Sequence, residues 1–268
     1  MKKILVPCDF SASAIEGLHF AVELAAATSA AITVLSVISL QQQMDEFLVS
    51  EGFRENFENE VIKLRLPIPI CHKIRLGKFA VSVIDAIAEE RIDLVVIGTR
   101  GSRGWEGPFM GSNVEKIIKV SPVPVFAVKA KTHLAGIRNV VFPCDLMLSE
   151  HYGMTRLKKI QAELGATLHL LRIDTSGFLS RETLYDRIKE YAIFHGLSKY
   201  TINIVTDTDE TAAILHFAKQ LGADMIAMTT RGAADLNHLY MSSIAADVVN
   251  HAHLLTWTCI QQPVKQPV

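Results

Sequence analysis

The sequence predicts an α/β fold made of two tandem doubly wound domains, each built on a five-stranded parallel sheet. Three observations lead to this prediction: a length of 268 residues, an internal repeat, and an apolar pattern that alternates short strands with helices. A chain of this length suits two domains of about 130 residues each. Strands that alternate with helices require right-handed crossovers, which place helices on both faces of a parallel sheet.

The internal repeat is visible in two strand-like segments of each half. The segment Ile4–Asp9 (ILVPCD) recurs as Val140–Asp145 (VVFPCD), 136 residues later. The segment Asp93–Gly101 (DLVVIGTRG) recurs as Asp224–Gly232 (DMIAMTTRG), 131 residues later. Both matches describe one duplicated module, because the two offsets differ by only a few residues.

We expect the first domain to span residues 1–132 and the second to span residues 136–262. In the first half, the pattern predicts strands over Ile4–Pro7, Ile32–Ile38, Cys71–Leu76, Leu94–Ile97 and Pro122–Val128. Of the helices between them, the first is opened by the capping box Ser13-x-x-Glu16, two cover Gln42–Leu64 and Val81–Glu90, and the last begins near Ser112. The second half repeats this order. Its predicted strands cover Val140–Pro143, Thr167–Ile173, Thr201–Val205, Met225–Met228 and Leu255–Ile260, and its predicted helices cover Thr155–Leu164, Glu182–Gly196, Thr211–Leu221 and Ile244–Asn250. Gly165 and Gly222 fall where helix C-caps belong.

Composition argues against several functional classes. The formal net charge is −1 and the basic residues are dispersed, so neither a nucleic-acid surface nor a membrane surface is expected. The apolar stretch at the N-terminus is too short for a signal peptide, and no segment approaches the roughly 20 apolar residues of a membrane span. The four cysteines lie in apolar runs without a C-x-x-C pair, which predicts buried free thiols in a cytoplasmic protein.

The candidate site lies at the carboxyl ends of the first and fourth strands, where ligands of open parallel sheets bind. Pro7 and Asp9 arrive there after the first strand, and the segment Gly98-Thr99-Arg100-Gly101 follows the fourth. Nine residues later, Gly111-Ser112 opens a helix whose N–H groups favour an anion. Glycines let the backbone approach phosphate oxygens, and Arg100 can offset ligand charge. The pattern therefore predicts a phosphate cradle.

The spacing Gly-x2-Gly-x9-Gly-Ser is similar to the ATP-binding signature of the universal stress protein family. The resemblance extends to the opening strand that ends in Asp9, to the lead-in Asp93–Ile97 and to the closing segment Pro124–Val128, once in each half. It implies that Asp9 contacts adenine, that Val37 lines the base pocket and that Gly98 approaches the ribose. It further implies a set of phosphate-binding residues: Gly101, Gly111, Ser112 and Asn113.

Asp9 and Ser112 also have interpretations that need no ligand. A carboxylate at a strand end can accept a hydrogen bond from an exocyclic amine, but Asp9 can equally cap the first helix. Ser112 is a good N-cap on its own account. The two interpretations remain open at this point.

The second half departs from the glycine pattern. It has Thr229-x-x-Gly232, nine residues and then Ser242-Ser243, so two of the three glycines are missing. We expect the Cβ of Thr229 to crowd a ribose, and Ser242 to remove a residue that tolerates positive φ. Asp145 persists, which leaves open an adenosine-like or a different small ligand, but the sequence predicts loss of tight ATP binding in this half.

These observations predict a nucleotide-responsive stress or regulatory protein that binds ATP, with or without Mg²⁺, in its first domain. Two alternatives stay open: a slow ATPase or nucleotidyl-transferring enzyme, and a ligand-free interaction scaffold. The chain has no Gly-x4-Gly-Lys-Ser/Thr loop, no Gly-x-Gly-x-x-Gly and no Gly-x-Ser-x-Gly, so no catalytic residues are assigned. The resemblance also implies that the last strands of the two halves pair within one chain, and it leaves a homodimer open.

Overall fold

The structure is a computed structural model that describes residues 1–39, 46–64, 68–99, 113–146, 151–230 and 244–261. Its strands are β1 (Lys3–Pro7), β2 (Ala31–Ile38), β3 (Ile70–Leu76), β4 (Leu94–Gly98), β5 (Val125–Val128), β6 (Asn139–Pro143), β7 (Thr167–Asp174), β8 (Tyr200–Thr206), β9 (Met225–Thr230) and β10 (Leu255–Ile260). Its α-helices are α1 (Ala12–Thr28), α2 (Glu46–Leu64), α3 (Phe79–Glu90), α4 (Asn113–Val120), α5 (His151–Leu164), α6 (Arg181–Phe194), α7 (Glu210–Leu221) and α8 (Ile244–His251). The predicted helix starts at Gln42 and Ser112 lie outside the described residues.

The strands form one ten-stranded sheet in the order β3-β2-β1-β4-β5-β10-β9-β6-β7-β8. Every pair is parallel except β5 and β10, which run antiparallel with Phe126 opposite Trp257. This confirms the predicted α/β class. The two five-stranded halves join edge to edge, so the last strand of each half lies inside the sheet.

Apolar residues of successive strand positions point to opposite faces and pack under different helices. On one face, Ile4, Val34 and Phe142 belong to a core that extends under α1, α2, α5 and α6 of both halves. On the other face, Leu5 packs with α3 and α4, and Val141 packs with α7 and α8. The sheet is therefore the middle layer of three, and each half resembles the other in its layering.

The junction between the halves is well buried. Trp257 of β10 is 0% exposed in the core shared by both halves, and Phe20 of α1 packs edge-on to Phe126 with ring centroids 5.2 Å apart. Lys129, just after β5, donates through Nζ to the carbonyl oxygen of Asn250 in α8 at 2.8 Å. Burial lowers the pKa of Lys129 to about 8. The hydrogen bond and the shared apolar core therefore join the two halves.

Helix ends confirm two predictions and contradict a third. Gly165 and Gly222 have φ of 59° and 65°, the left-handed conformation expected after helices α5 and α7. The predicted capping box at Ser13 is wrong, because α1 begins at Ala12 and Ser11 occupies the N-cap with no side-chain cap. Ser13 therefore lies inside the first turn, where its side-chain oxygen is 3.3 Å from the Ser11 hydroxyl.

The cysteines follow the prediction with one exception. All four are free thiols, and Cys8, Cys144 and Cys259 are buried. Cys71 is exposed, contrary to the prediction, because its strand β3 lies at the edge of the sheet. In the part of the chain that the structure describes, no helix combines the length and the apolar character needed to cross a bilayer.

Candidate functional site

Strand order reverses between β1 and β4 in the first half. The chain proceeds from β1 outward to β2 and β3, whereas β4 and β5 lie on the other side of β1. Folds of this type leave a crevice beyond the carboxyl ends of the two strands at the reversal. Here those ends are Pro7, which is buried, and Gly98, with the exposed Asp9 two residues beyond Pro7. The structure thus brings three of the predicted site residues to one edge of the sheet.

Asp9 lies in a tight turn between β1 and α1. Its Oδ1 accepts a hydrogen bond from the backbone N–H of Ser11 at 3.0 Å, so it supports the start of α1 without being its N-cap residue. Phe10, between them, has φ of 58°, and Leu146 at the equivalent position of the second half has φ of 66°. A bulky residue in this left-handed region costs about 1–3 kcal/mol. Both halves therefore hold the carboxylate on the same strained turn.

A buried hydrogen-bond network holds the end of β1 from behind. Cys8 donates its backbone N–H to the carbonyl of Leu35 at 2.9 Å, and its own carbonyl accepts from the Ser36 hydroxyl at 2.8 Å. Ser36 is also 2.9 Å from Nε2 of His72 on β3. Since the Ser36 proton goes to Cys8, the bond to His72 requires an N–H at Nε2. Burial raises the pKa of the Cys8 thiol to about 12, so this sulfur is not a nucleophile near neutral pH.

His72 is enclosed by aromatic rings from two other elements. Its ring stacks on Phe57 of α2 with centroids 4.7 Å apart and meets Phe10 edge-on at 5.7 Å. Burial, and secondarily the charge of Arg54, lowers its pKa below the ordinary value. A neutral imidazole therefore links the turn that carries Asp9 to helix α2 and strand β3.

Gly98 lies against α1. A Cβ built on Gly98 would stand 1.9 Å from the carbonyl oxygen of Ser13, and one on Gly17 would stand 2.6 Å from the backbone nitrogen of Gly98. Such separations are impossible for real atoms, so α1 can approach β4 only because both residues lack a side chain. The structure thus explains this glycine by helix–strand packing, and the contact with a ribose remains a prediction.

Val37 and Asn113 lie on the opposite side of the sheet from α1. Val37, near the end of β2, is partly buried and packs against the apolar cluster that contains Val114 and Ile117 of α4. Asn113 is the exposed first residue of α4. The remaining predicted residues, Arg100, Gly101, Gly111 and Ser112, lie outside the described part of the chain.

The second half repeats the turn but changes its surroundings. Asp145 is exposed after β6, as Asp9 is after β1. Arg172 takes the place of Ser36, and its Nη1 is 3.4 Å from the carbonyl oxygen of Cys144. Thr229 replaces Gly98, and its methyl group would be 2.6 Å from a Cβ on Gly153, the counterpart of Gly17. The Thr229 methyl group is therefore directed toward α5, and our expectation that Thr229 would crowd a ribose stays a prediction.

Sequence reasoning missed Gly17 and the Ser36–His72 pair. Gly17 had a detectable signal, because a glycine inside a helix is unfavourable and the repeat places Gly153 at the same position. The pairing of Ser36 with His72 had none, since it depends on β2 and β3 being neighbours in register.

The fold and the position of the candidate site define a doubly wound α/β protein in which the same switch-point strand order occurs twice. The model of the Universal stress protein family matches residues 1–129 and again residues 136–256. The chain therefore belongs to the universal stress protein family, as a tandem member.

Individual relatives agree with this assignment. Universal stress protein MJ0531 of Methanocaldococcus jannaschii is 27% identical over 139 residues, which is 48% of this chain and 82% of that protein. The crystal structure of a universal stress protein from Archaeoglobus fulgidus superimposes with a TM-score of 0.77 at 20% identity, covering 97% of this chain and 98% of its own. The crystal structure of a functionally unknown protein, PA1789 from Pseudomonas aeruginosa, superimposes with a TM-score of 0.66 at 16% identity, covering 98% of this chain and 93% of its own. The two structures support the fold of the whole tandem chain.

Proposed function

We propose that the first half binds ATP, with or without Mg²⁺, and that the protein is a nucleotide-responsive stress or regulatory protein of the cytoplasm. The observation that carries the proposal is the placement of the exposed Asp9 carboxylate, the end of β4 and the start of α4 around one switch point. Four free thiols suit a reducing compartment in which ATP is available.

Asp9 is the residue we assign to the base. Its Oδ1 accepts from Ser11, and the described residues provide its other oxygen with no hydrogen-bond partner. An exposed carboxylate oxygen at a strand end can accept from the exocyclic amine of adenine. Val37, on the α4 side of β2, would contact the apolar face of the ring.

The phosphates would lie at the start of α4. Asn113 opens this helix, and the sequence places Gly111 and Ser112 immediately before it. The free N–H groups and the positive dipole end of a helix stabilise an anion. We assign Gly101, Gly111 and Ser112 to the phosphates and Arg100 to charge compensation, on the strength of the sequence pattern.

Calorimetric titration of ATP with Mg²⁺ into the full chain tests the proposal, with the matched variants Gly111→Val and Ser242→Val. We expect one site per chain in the wild type and in Ser242→Val, and no binding in Gly111→Val, because only the first half keeps the glycine at this position. Absence of binding at millimolar ATP in the wild type would leave the scaffold alternative. Loss of binding in both variants would show that the substitutions act through folding, which thermal unfolding of each variant checks.

A second pair of variants tests the base contact. Asp9→Ala should weaken ATP at least about tenfold, since a hydrogen bond to a charged group contributes about 1.5–3 kcal/mol, whereas Asp145→Ala should leave the affinity unchanged. Equal affinities for the two variants contradict the assignment of Asp9. Steady-state release of ADP or of a transferred nucleotide would instead favour the slow enzyme.

A further inference from the structure

The two outermost strands of the sheet are β3 and β8, and they are counterparts in the duplicated fold. At β8, the N–H of Leu168 in β7 donates to the carbonyl of Lys199 at 3.0 Å. In a parallel pair, backbone groups of alternate residues then point toward the neighbour. Thr201, Asn203 and Val205 face β7, so the backbone groups of four other residues point outward: Tyr200, Ile202, Ile204 and Thr206. No described strand pairs with them on that side.

Charged side chains protect the β3 edge against pairing with a strand of another molecule. Lys73 lies 2.8 Å from Oε1 of Glu90 at the end of α3, and Arg75 bonds Glu89. Two copies of β3 paired antiparallel around Lys73 would place like charges opposite one another, which is destabilising. Lysines and arginines on an edge strand are a common protection against such pairing.

The β8 edge has lost this protection. The strand reads YTINIVT and has no charged residue. The register assigns Asn203 and Val205 to the positions that Lys73 and Arg75 occupy in β3. Their partners are lost as well, because Gln220 and Leu221 replace Glu89 and Glu90 at the end of α7. A long uncharged edge strand of β-branched residues is a template for another strand.

Exposed apolar side chains lie on the same flank of the molecule. Helix α6 packs on β7 and β8, and the segment from Phe178 to Phe194 exposes several large side chains. Phe178 is 90% exposed, Ile193 67% and Phe194 59%. Ile193 and Phe194 lie at the end of α6 and Phe178 lies before its start, so both ends of this helix expose large apolar side chains, a feature of interaction surfaces.

We propose that two copies of this chain associate through their β8 edges, antiparallel and around a two-fold axis at Asn203. In that register Ile202 and Ile204 of one copy exchange backbone hydrogen bonds with Ile204 and Ile202 of the other, and Tyr200 does so with Thr206. All four outward residues are then paired, which a shift of the register would not achieve.

Charge at the strand ends supports the same occupant and register. The antiparallel arrangement centred on Asn203 brings Lys199, which precedes β8 with φ of 53°, to the end of the interface where Asp207 of the second copy follows its β8. Lys199 gives one of its N–H groups to the carbonyl of Gly165, and two remain for a carboxylate. The two-fold axis repeats this pairing of Lys199 with Asp207, so the interface contains it twice. A second copy therefore fits this edge better than an unrelated strand.

Light scattering coupled to size exclusion tests the association, using the full chain of 29.6 kDa. We expect twice this mass for the wild type at micromolar concentration. Ile204→Pro removes an outward N–H that β7 does not use, so it should weaken the dimer at least tenfold without disrupting the sheet. Ile74→Pro makes the same change on the β3 edge and should leave the dimer intact. Asn203→Lys, which puts two like charges on the axis, should also give a monomer.

The register has its own test in a Cys71→Ser background, which removes the exposed native thiol. Residues opposite each other in a non-hydrogen-bonded pair have Cα atoms about 4.5 Å apart, within reach of a disulfide. Asn203→Cys should therefore form a disulfide-linked dimer on mild oxidation, whereas Thr201→Cys, which faces Val205 of the other copy, should not. A monomeric wild type would overturn the proposal. So would a dimer that survives Ile204→Pro, whether or not it also survives Ile74→Pro.

Discussion

Gly17 of α1 lies directly against Gly98 at the end of β4, so closely that a Cβ on Gly17 would be 2.6 Å from the Gly98 nitrogen. The helix that follows the turn of Asp9 therefore rests on the strand that leads into the glycine-rich segment. The position of the candidate site depends on two residues that contribute no side chain.

Gly98→Ala should destabilise the protein by at least about 1–3 kcal/mol, the usual cost of overpacking, because its methyl would meet the Ser13 carbonyl at 1.9 Å. Gly52→Ala is the matched control, since Gly52 lies in α2 and nothing stands within 4 Å of its Cβ position. There the substitution should stabilise by about 0.5–1 kcal/mol. Urea unfolding followed by circular dichroism measures both. Equal stabilities for the two variants would mean that α1 can move away from β4 without cost.

In the second half, Gly153→Ala should be destabilising because its methyl would stand 2.6 Å from the methyl of Thr229. The double variant Gly153→Ala/Thr229→Gly removes that clash and should regain part of the lost stability. A double-mutant cycle on the free energy of unfolding gives the coupling between the two positions. Additive effects would contradict the contact between Thr229 and α5.

Stability should fall as the pH drops below 6.5, in part through His72. Burial, followed by the charge of Arg54, lowers its pKa in the folded state below the ordinary 6.5. Between that lowered pKa and pH 6.5, His72 binds more protons in the unfolded chain than in the folded protein, so acid favours unfolding. The contribution of neutral His72 to stability is therefore fully present above pH 6.5. His72→Gln, which keeps a donor for Ser36, should make the pH dependence shallower.

Some slope should remain in His72→Gln, because burial also lowers the pKa values of His169 and His195. Unfolding midpoints in urea from pH 7 to pH 5 provide the comparison. A His72→Gln slope identical to that of the wild type would show that this imidazole does not oppose protonation.

Trp257→Ala should cost about 3–5 kcal/mol, because the indole is fully buried opposite Phe126 in the core shared by both halves. Since both halves contribute to that core, the wild type should unfold in one transition. Phe178→Ala, at a side chain that is 90% exposed, should change stability by less than about 0.5 kcal/mol. Two separate transitions in the wild type would show that the halves fold independently.

Much of the architecture could be predicted because it depends on local pattern. Buried strands such as Ile4–Pro7 and Leu255–Ile260 contain largely apolar runs, and the internal repeat indicates the duplication from sequence alone. Helix ends were less predictable. Ser13 has the spacing of a capping box, but the turn that begins at Asp9 starts α1 earlier, at Ala12.

The candidate site divides in the same way. Asp9 and Gly98 follow strands that the sequence reveals, and parallel topology alone brings their ends together. The reason for Gly98 was not predictable, because it lies in the approach of a helix that is distant in sequence. The role of His72 was not predictable either, since its partners Ser36 and Phe57 come from separate elements.

The fold class, the duplication and the strand ends of the candidate site follow from local sequence, because hydrophobic periodicity and turn residues act over short distances. Which strands lie at the edges of the sheet, and which side chains meet across it, depends on the packed fold. It made β3 and β8 the edges, exposed Cys71 and buried Trp257. Strand order follows from packing between residues far apart in the chain, and no local pattern encodes it.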